Sequence, residues 1–259
     1  MHLEYKKINL HFKDFGEGDA IVFLHGFLEN STIWEPFIET FSKTNRVLCV
    51  DLLGHGKTEC LGYIHTMEDM AKALNYVLKY LKIKNCIIIG HSMGGYVSLA
   101  FAELFKNKVS GLVLVNSSSR EDSNERKLNR ERAILAIKQN HKNFIGQSIA
   151  NLFAEHNRIK FRNEIEHLKN EALKMSVRGI IAALEGMKVR KNRTFILNNS
   201  DYKIMMMVGK KDSVLPYSKI IEETENTPVK LVEFPDGHMS FIENESLFLH
   251  KIVHFIENI

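Results

Sequence analysis

The sequence predicts an α/β fold in which helices cover both faces of a mostly parallel β-sheet. Short apolar segments typical of buried strands alternate with segments of helical spacing, first in the N-terminal half of the chain and again near its end. Between these regions, from about residue 117 to about residue 195, only helical spacing and many charged residues are found. The pattern indicates one α/β core that is interrupted by a helical insertion.

The first part of the core begins with a segment that alternates between polar and apolar residues. Residues 2–14 are therefore predicted to form two short strands, with Gly16 and Gly18 in the following turn. Further strands are predicted at Ala20–Leu24, Arg46–Val50, Cys86–Ile89 and Val109–Val115. Helices are predicted over residues 35–43, Thr66–Leu81 and Ser92–Phe105.

The alternation of strands and helices resumes after the insertion. Strands are predicted at Ile204–Val208 and Val229–Phe234, and helices at Pro216–Thr224 and Ser246–Ile256. The chain is therefore divided into a first core segment (1–117), a helical cap (118–197) and a second core segment (198–259).

Composition argues against several classes of function. A formal net charge of +4 without a block of lysines and arginines does not indicate a nucleic-acid partner. The three cysteines form no CxxC pair, which argues against a disulfide framework and a thiolate zinc site. The N-terminus has no apolar leader and no stretch of about 18 apolar residues occurs. We therefore expect a cytoplasmic protein that binds no membrane. Either a monomer or a homodimer is expected.

The helical insertion is basic. It has 17 basic and 9 acidic residues from Arg120 to Arg193, a charge of about +8, which leaves about −4 for the rest of the chain. These charges could simply be solvated helix faces, or they could attract an anionic substrate. Both interpretations stay open at this point.

The strongest chemical signal is the segment Gly90-His91-Ser92-Met93-Gly94-Gly95, which matches G-x-S-x-G between a predicted strand and a predicted helix. A nucleophile in such a turn needs strained backbone angles, and side chains two positions before and after it would collide. We therefore predict that Ser92 is a nucleophile at the carboxyl edge of the sheet.

A serine hydroxyl needs a base that is held by a third group. His238 follows the last predicted strand, at the same sheet edge as Ser92, and is the predicted base. Asp212 follows the strand Ile204–Val208 and is the predicted acid, in the order nucleophile, acid, base. Asp122, after the fourth of the core strands, is the main rival for the acid.

Other nearby residues are weaker candidates. Asp236 is too close in sequence to His238, and Asp201 precedes its strand. His91 should point away from Ser92. His25 is expected to shape its loop as a buried hydrogen-bonding residue, and Asp51–Gly56 is expected to be a structural turn.

An oxyanion hole needs two backbone N–H donors. The predicted donors are Met93, directly after the nucleophile, and Phe27, in the loop after the strand Ala20–Leu24. Leu28, Trp34 and Tyr96 are predicted to contribute to the substrate pocket, although Trp34 and Tyr96 could instead pack in the core.

The sequence resembles the α/β-hydrolase superfamily in its capped, esterase-like branch. The resemblance rests on the G-x-S-x-G segment and on four further motifs: His25-Gly26-Phe27, Asp51-Leu52-Leu53-Gly54-His55-Gly56, Gly209-Lys210-Lys211-Asp212 and Gly237-His238. That branch includes carboxylesterases, proline iminopeptidases, enol-lactonases and the menaquinone-pathway lyase. The resemblance implies an eight-stranded, mostly parallel sheet, a helical cap after the sixth strand, and neither cofactor nor metal. It does not fix the substrate.

The sequence thus predicts a serine hydrolase that cleaves a small-molecule ester, thioester or lactone. The first alternative is a lyase of the menaquinone-pathway type with the same triad. Tyr96 stands where that lyase typically carries an arginine, whereas Arg120, Arg126, Arg130 and Arg190 in the cap keep the lyase open. The second alternative is a non-catalytic small-molecule receptor on this fold.

Overall fold

The computed structural model describes residues 1–259 and is built on an eight-stranded sheet with the order β1-β2-β4-β3-β5-β6-β7-β8. The strands are β1 (His2–Tyr5), β2 (Ile8–Phe15), β3 (Ala20–Leu24), β4 (Arg46–Val50), β5 (Cys86–His91), β6 (Val109–Val115), β7 (Lys203–Gly209) and β8 (Lys230–Phe234). β2 pairs antiparallel with β1 and β4, and all other neighbours are parallel. The predicted α/β class with an eight-stranded, mostly parallel sheet is confirmed.

Ten helices accompany this sheet. They are α1 (Glu35–Phe41), α2 (Met67–Tyr80), α3 (Met93–Leu104), α4 (Asn124–Leu152), α5 (Arg162–Ala172), α6 (Val177–Lys188), α7 (Phe195–Asn198), α8 (Tyr217–Thr224), α9 (Ser240–Glu243) and α10 (Glu245–Glu257). Helix α4 is interrupted at Asn140, where the backbone leaves helical angles. No helix has both the length and the apolar character needed to cross a lipid bilayer.

The central strands are apolar because both sides of the sheet are covered. Every residue of β3 and of β5 is buried, which explains why these segments read as continuous apolar runs rather than alternating ones. Helix α2 begins after Thr66, whose hydroxyl accepts a hydrogen bond from the Asp69 N–H, as its capping sequence predicts. The parallel strands direct their carboxyl ends toward one edge, where the connecting loops meet.

Helices α4 to α7, which we call the insertion, lie between β6 and β7. Helix α6 approaches the core so closely that backbones touch. The position of a Cβ on Gly186 would overlap the carbonyl group of His65, and the His65 N–H donates to the Ala182 carbonyl oxygen at 2.9 Å. The insertion is therefore docked to the core at a backbone contact that has no room for a side chain.

This contact predicts that Gly186→Ala lowers the free energy of unfolding by about 1–3 kcal/mol, because the added methyl group forces two backbones apart. Urea denaturation followed by circular dichroism measures the change. Gly146→Ala is the matched control, since Gly146 is also helical but has open space around it. That control should be neutral or stabilising by about 0.5–1 kcal/mol. Equal stability of the Gly186→Ala variant and the wild type would contradict the docking described here.

Candidate active site

Ser92 lies in the turn that joins β5 to α3, with a φ of 49° and a ψ of −113°. This positive φ is strained for a residue with a side chain. The turn tolerates it because a Cβ at Gly90 would meet the Gly94 carbonyl group, and a Cβ at Gly94 would meet the Leu24 carbonyl oxygen. Glycines at both positions let the strand, the turn and β3 approach one another, which directs Ser92 away from the sheet.

His238 and Asp212 meet at the same edge of the sheet. His238 lies in the loop after β8, and its Nδ1 is 2.7 Å from Oδ2 of Asp212, which follows β7. Both side chains are buried. The His238 Nε2 has no hydrogen-bond partner in the protein, and neither has the Ser92 hydroxyl, although both residues line one cavity. No hydrogen bond joins the hydroxyl to the ring in this structure.

The environment of Asp212 favours its ionised form. Its Oδ1 accepts hydrogen bonds from the N–H groups of Val214 (2.7 Å) and Leu215 (2.9 Å), and its Oδ2 accepts one from the Asn116 side chain (3.0 Å). Burial alone would raise the pKa of Asp212. The charge and hydrogen bond of His238, together with the other donors, outweigh burial, so that its pKa lies below the usual value.

The rival carboxylates lie elsewhere. Asp122 is buried among arginines of the insertion and makes no contact with His238. Asp201 is 2.7 Å from the Lys106 ammonium group, and Asp236 is 3.0 Å from Nε2 of His156. Among the candidate acids, the structure brings only Asp212 to the imidazole.

The two amides predicted to form an oxyanion hole, those of Phe27 and Met93, donate no hydrogen bond within the protein. Leu28, next to Phe27, has a φ of 64°, which is a second strained position in this region. His25 is fully buried, and its Nε2 accepts a hydrogen bond from the Leu52 N–H at 2.9 Å. His25 thus fixes the loop from β3, as its interpretation from sequence requires.

A second carboxylate–histidine pair, which the sequence did not reveal, lies behind this loop. One oxygen of buried Glu29 accepts from the Gly26 N–H at 2.5 Å and is 2.9 Å from His91 Nδ1. The His91 Nε2 is 3.0 Å from the His238 carbonyl oxygen. Burial acts against both charges, yet the pair interaction outweighs it, lowering the pKa of Glu29 and raising that of His91. The pair therefore links the loops that carry Phe27, Ser92 and His238.

Glu243, also unnoticed in the sequence, connects the insertion to the histidine loop. Its carboxylate accepts hydrogen bonds at 2.9 Å from the Ala154 N–H, from the Asn157 side chain and from the Gly237 N–H. In addition, the His238 N–H donates to the Leu152 carbonyl oxygen at 2.8 Å. The end of α4 and the loop of His238 are thus bound together directly.

The cavity above Ser92 has a volume of about 370 Å³. The core contributes Phe27, Tyr96 and His238, and the insertion contributes Arg126, Arg130 and Arg158. Leu28 and Trp34 do not line this cavity, so their predicted pocket role is corrected. Trp34 is fully buried, with its ring 4.9 Å from the Phe241 ring, and belongs to the aromatic core.

The guanidinium group of Arg190 lies 4.0 Å from the centre of the Tyr96 ring. No group of three or more metal-ligating side chains occurs in the protein.

Comparisons with known proteins show the family of the chain and its fold. Residues 19–245 match the family model described as the alpha/beta hydrolase fold. A pimeloyl-[acyl-carrier protein] methyl ester esterase of Vibrio campbellii is 36% identical over 110 residues, which cover 42% of this chain and 41% of that protein. The match to uncharacterized mycobacterial relatives spans only 31% of their length.

Solved structures are similar over nearly the whole chain. A thermophilic esterase from Thermogutta terrifontis superposes with a TM-score of 0.91 and 28% identity, covering 97% of this chain and 94% of that one. An enol-lactonase from Burkholderia xenovorans LB400 also gives a TM-score of 0.91, at 19% identity, with coverage of 99% and 100%. At that identity the second similarity concerns the fold alone.

The Asp122 cluster predicts a pH-dependent stability. Burial raises the pKa of Asp122, but its arginine partners outweigh burial and lower it to about 2. The contribution of the Asp122 carboxylate to the free energy of unfolding is therefore complete above the unfolded-state pKa near 4. It is lost as the pH falls through about 2. Asp122→Asn should cost about 2 kcal/mol more at pH 7 than at pH 2, measured by urea denaturation at both values. A cost independent of pH would show that this carboxylate is not held ionised by the arginines.

Proposed function

Because the chain belongs to the alpha/beta hydrolase fold family, we propose that it is a serine hydrolase that cleaves a carboxylic ester, thioester or lactone through an acyl-enzyme on Ser92. One observation carries the proposal. His238 binds Asp212 through Nδ1 while its Nε2 is unoccupied, and it lines the same cavity as a strained serine. Tight structural similarity to an esterase at 28% identity supports the same reaction class.

The proposed reaction starts with proton transfer from the Ser92 hydroxyl to His238 Nε2 as Oγ attacks the substrate carbonyl carbon. The developing oxyanion accepts hydrogen bonds from the N–H groups of Phe27 and Met93, each worth about 3–4 kcal/mol in the transition state. When the intermediate collapses, the carbonyl–heteroatom bond breaks and His238 returns its proton to the leaving alcohol or thiol. Water then attacks the acyl-enzyme, with His238 again as base, and releases the acid.

Asp212 is proposed to act on the imidazole rather than on the substrate. Its ionised carboxylate accepts the Nδ1–H and thereby keeps the lone pair of Nε2 free for the serine proton. It also stabilises the imidazolium that forms during the attack. Asp212 accepts four hydrogen bonds, and they fix its orientation. Rotation of the carboxylate would break hydrogen bonds from donors in three different segments of the chain.

A lyase remains the alternative reaction on the same three residues, and one observation favours it. Arg126, Arg130 and Arg158 line the cavity, so that carboxylate groups of a dienyl lyase substrate would find cationic partners there. Steady turnover of p-nitrophenyl acetate by the purified protein supports the hydrolase. Loss of a menaquinone-pathway dienyl substrate without any esterase turnover would instead establish the lyase.

The proposal predicts that Ser92→Ala and His238→Ala each lower ester turnover by about 10⁴–10⁶-fold, because the nucleophile and the base act as a unit. Initial rates with p-nitrophenyl acetate measure the loss. A fluorophosphonate probe should label the wild type and leave Ser92→Ala unlabelled. Ser200→Ala, which changes a serine before β7 at the opposite edge of the sheet, should keep both labelling and activity. Saturable ligand binding that survives Ser92→Ala, with negligible wild-type turnover, would favour the non-catalytic receptor.

Asp212→Asn should lower turnover by about 10⁴-fold, because the amide cannot hold the required tautomer of His238. The measurement is kcat/KM for the same ester, with thermal unfolding as a check that the variant is folded. Near-normal activity in Asp212→Asn together with collapse in Asp122→Asn would transfer the acid role to Asp122.

A further inference from the structure

The cavity above Ser92 has an excess of positive charge. Three arginines line it, whereas its only acidic lining residue is Glu29. Glu29 is already paired with His91, and this pair is neutral as a whole because the pKa of the acid is lowered and that of the imidazole is raised. The core side supplies one further negative charge, the Asp212 carboxylate, which acts on Arg126. The arginines around the cavity still outnumber the carboxylates that act on them.

The insertion supplies only one carboxylate to its own arginines at this wall. Asp122 accepts hydrogen bonds from Arg126 (3.0 Å), from Arg130 and from Arg190. One carboxylate facing three guanidinium groups leaves an excess of two positive charges. Two of these arginines are fixed further by backbone carbonyl groups, since Arg126 donates to Val214 at 2.8 Å and Arg190 donates to Arg120 at 3.1 Å.

Arg158 differs from the other three arginines because it has no acidic partner. Its Nη2 donates to the neutral side-chain oxygen of Asn151 at 3.1 Å. Its Nε is buried and has no hydrogen-bond partner at all. A buried guanidinium N–H without an acceptor is costly, and a planar guanidinium can bind a carboxylate through two parallel hydrogen bonds. The Nη1 of Arg158 also donates no hydrogen bond within the protein, so a carboxylate in the cavity would supply an acceptor that this guanidinium lacks.

From these observations we infer that the substrate carries a free carboxylate in addition to its ester, and that Arg158 binds this carboxylate, with Arg126 and Arg130 adding to the favourable potential. The inference deepens the proposed serine hydrolase function and rests on it for the reaction. The substrate class is a half-ester of a dicarboxylic acid or an acidic lactone. A cavity of about 370 Å³ corresponds to about a dozen water volumes, which suits a short dicarboxylic chain.

The test compares two series of substrates that have the same shape and differ in charge. One series is the monomethyl esters of succinate, glutarate and adipate, and the other is the same esters with the free carboxylate replaced by a carboxamide. Methanol release gives kcat/KM for each. The wild type should prefer the acid over the amide by about 10–100-fold at the best chain length. In Arg158→Gln this preference should fall by a similar factor.

Arg162→Gln is the matched control, because Arg162 is an exposed arginine of the same insertion outside the cavity. It should retain the wild-type preference, and added salt should weaken the preference in both proteins. Equal turnover of acid and amide at all three chain lengths would overturn the carboxylate site, and so would an unchanged preference in Arg158→Gln. In both cases, methyl ester turnover that disappears in Ser92→Ala would leave the proposed hydrolase intact.

Binding separates the two proposals if no ester is turned over. Isothermal titration of Ser92→Ala with monomethyl glutarate and with its carboxamide analogue measures the site without any reaction. Tighter binding of the acid that is lost with an added Arg158→Gln substitution supports the carboxylate site, even when the hydrolase proposal fails. Equal affinity for both compounds contradicts the carboxylate site.

Discussion

Ser92 adopts a positive φ that costs of the order of 1–3 kcal/mol, and the surrounding structure has to maintain it. It can do so because every residue of the strand before it and ten of the twelve residues of the helix after it are buried. Close backbone contacts at Gly90 and Gly94 restrict the turn to this backbone conformation. The orientation of one hydroxyl is thus set by packing that extends from the central strand to the neighbouring strand β3.

Three loops meet near that hydroxyl. Hydrogen bonds between buried polar groups hold these loops in position relative to one another. Asp212 fixes the imidazole of His238, while Glu29 and His91 join the β3 loop to the carbonyl group behind that imidazole. Each group has several partners from separate segments. In the low-dielectric interior, removing one member of such a network leaves its partners unpaired, which is costly.

The fold, and the placement of Ser92, Asp212 and His238 at one edge of the sheet, could be predicted from the sequence because their signals are local. The strands are short apolar runs, and Ser92, Asp212 and His238 each follow such a run at a recognisable turn. The pocket role predicted for Trp34 is wrong. An aromatic residue beside a helix fits a pocket wall as well as a core, and only tertiary packing decides between the two locations. Glu29, Glu243 and Arg158 carry no periodic or motif signal. Their roles depend on neighbours that are distant in sequence, for example Glu243 on residues about 86–89 positions away.

The hydrogen bonds that Glu243 makes to the insertion and to the loop of His238 have a consequence for protein engineering. Since this carboxylate and the Leu152 carbonyl oxygen bind the insertion to the loop that carries His238, exchanging the entire insertion for that of a homologue would shift His238 as well as the pocket. A library that aims at new selectivity is therefore better confined to individual side chains on the inner surface of α4, leaving its C-terminal junction with residues 152–157 untouched.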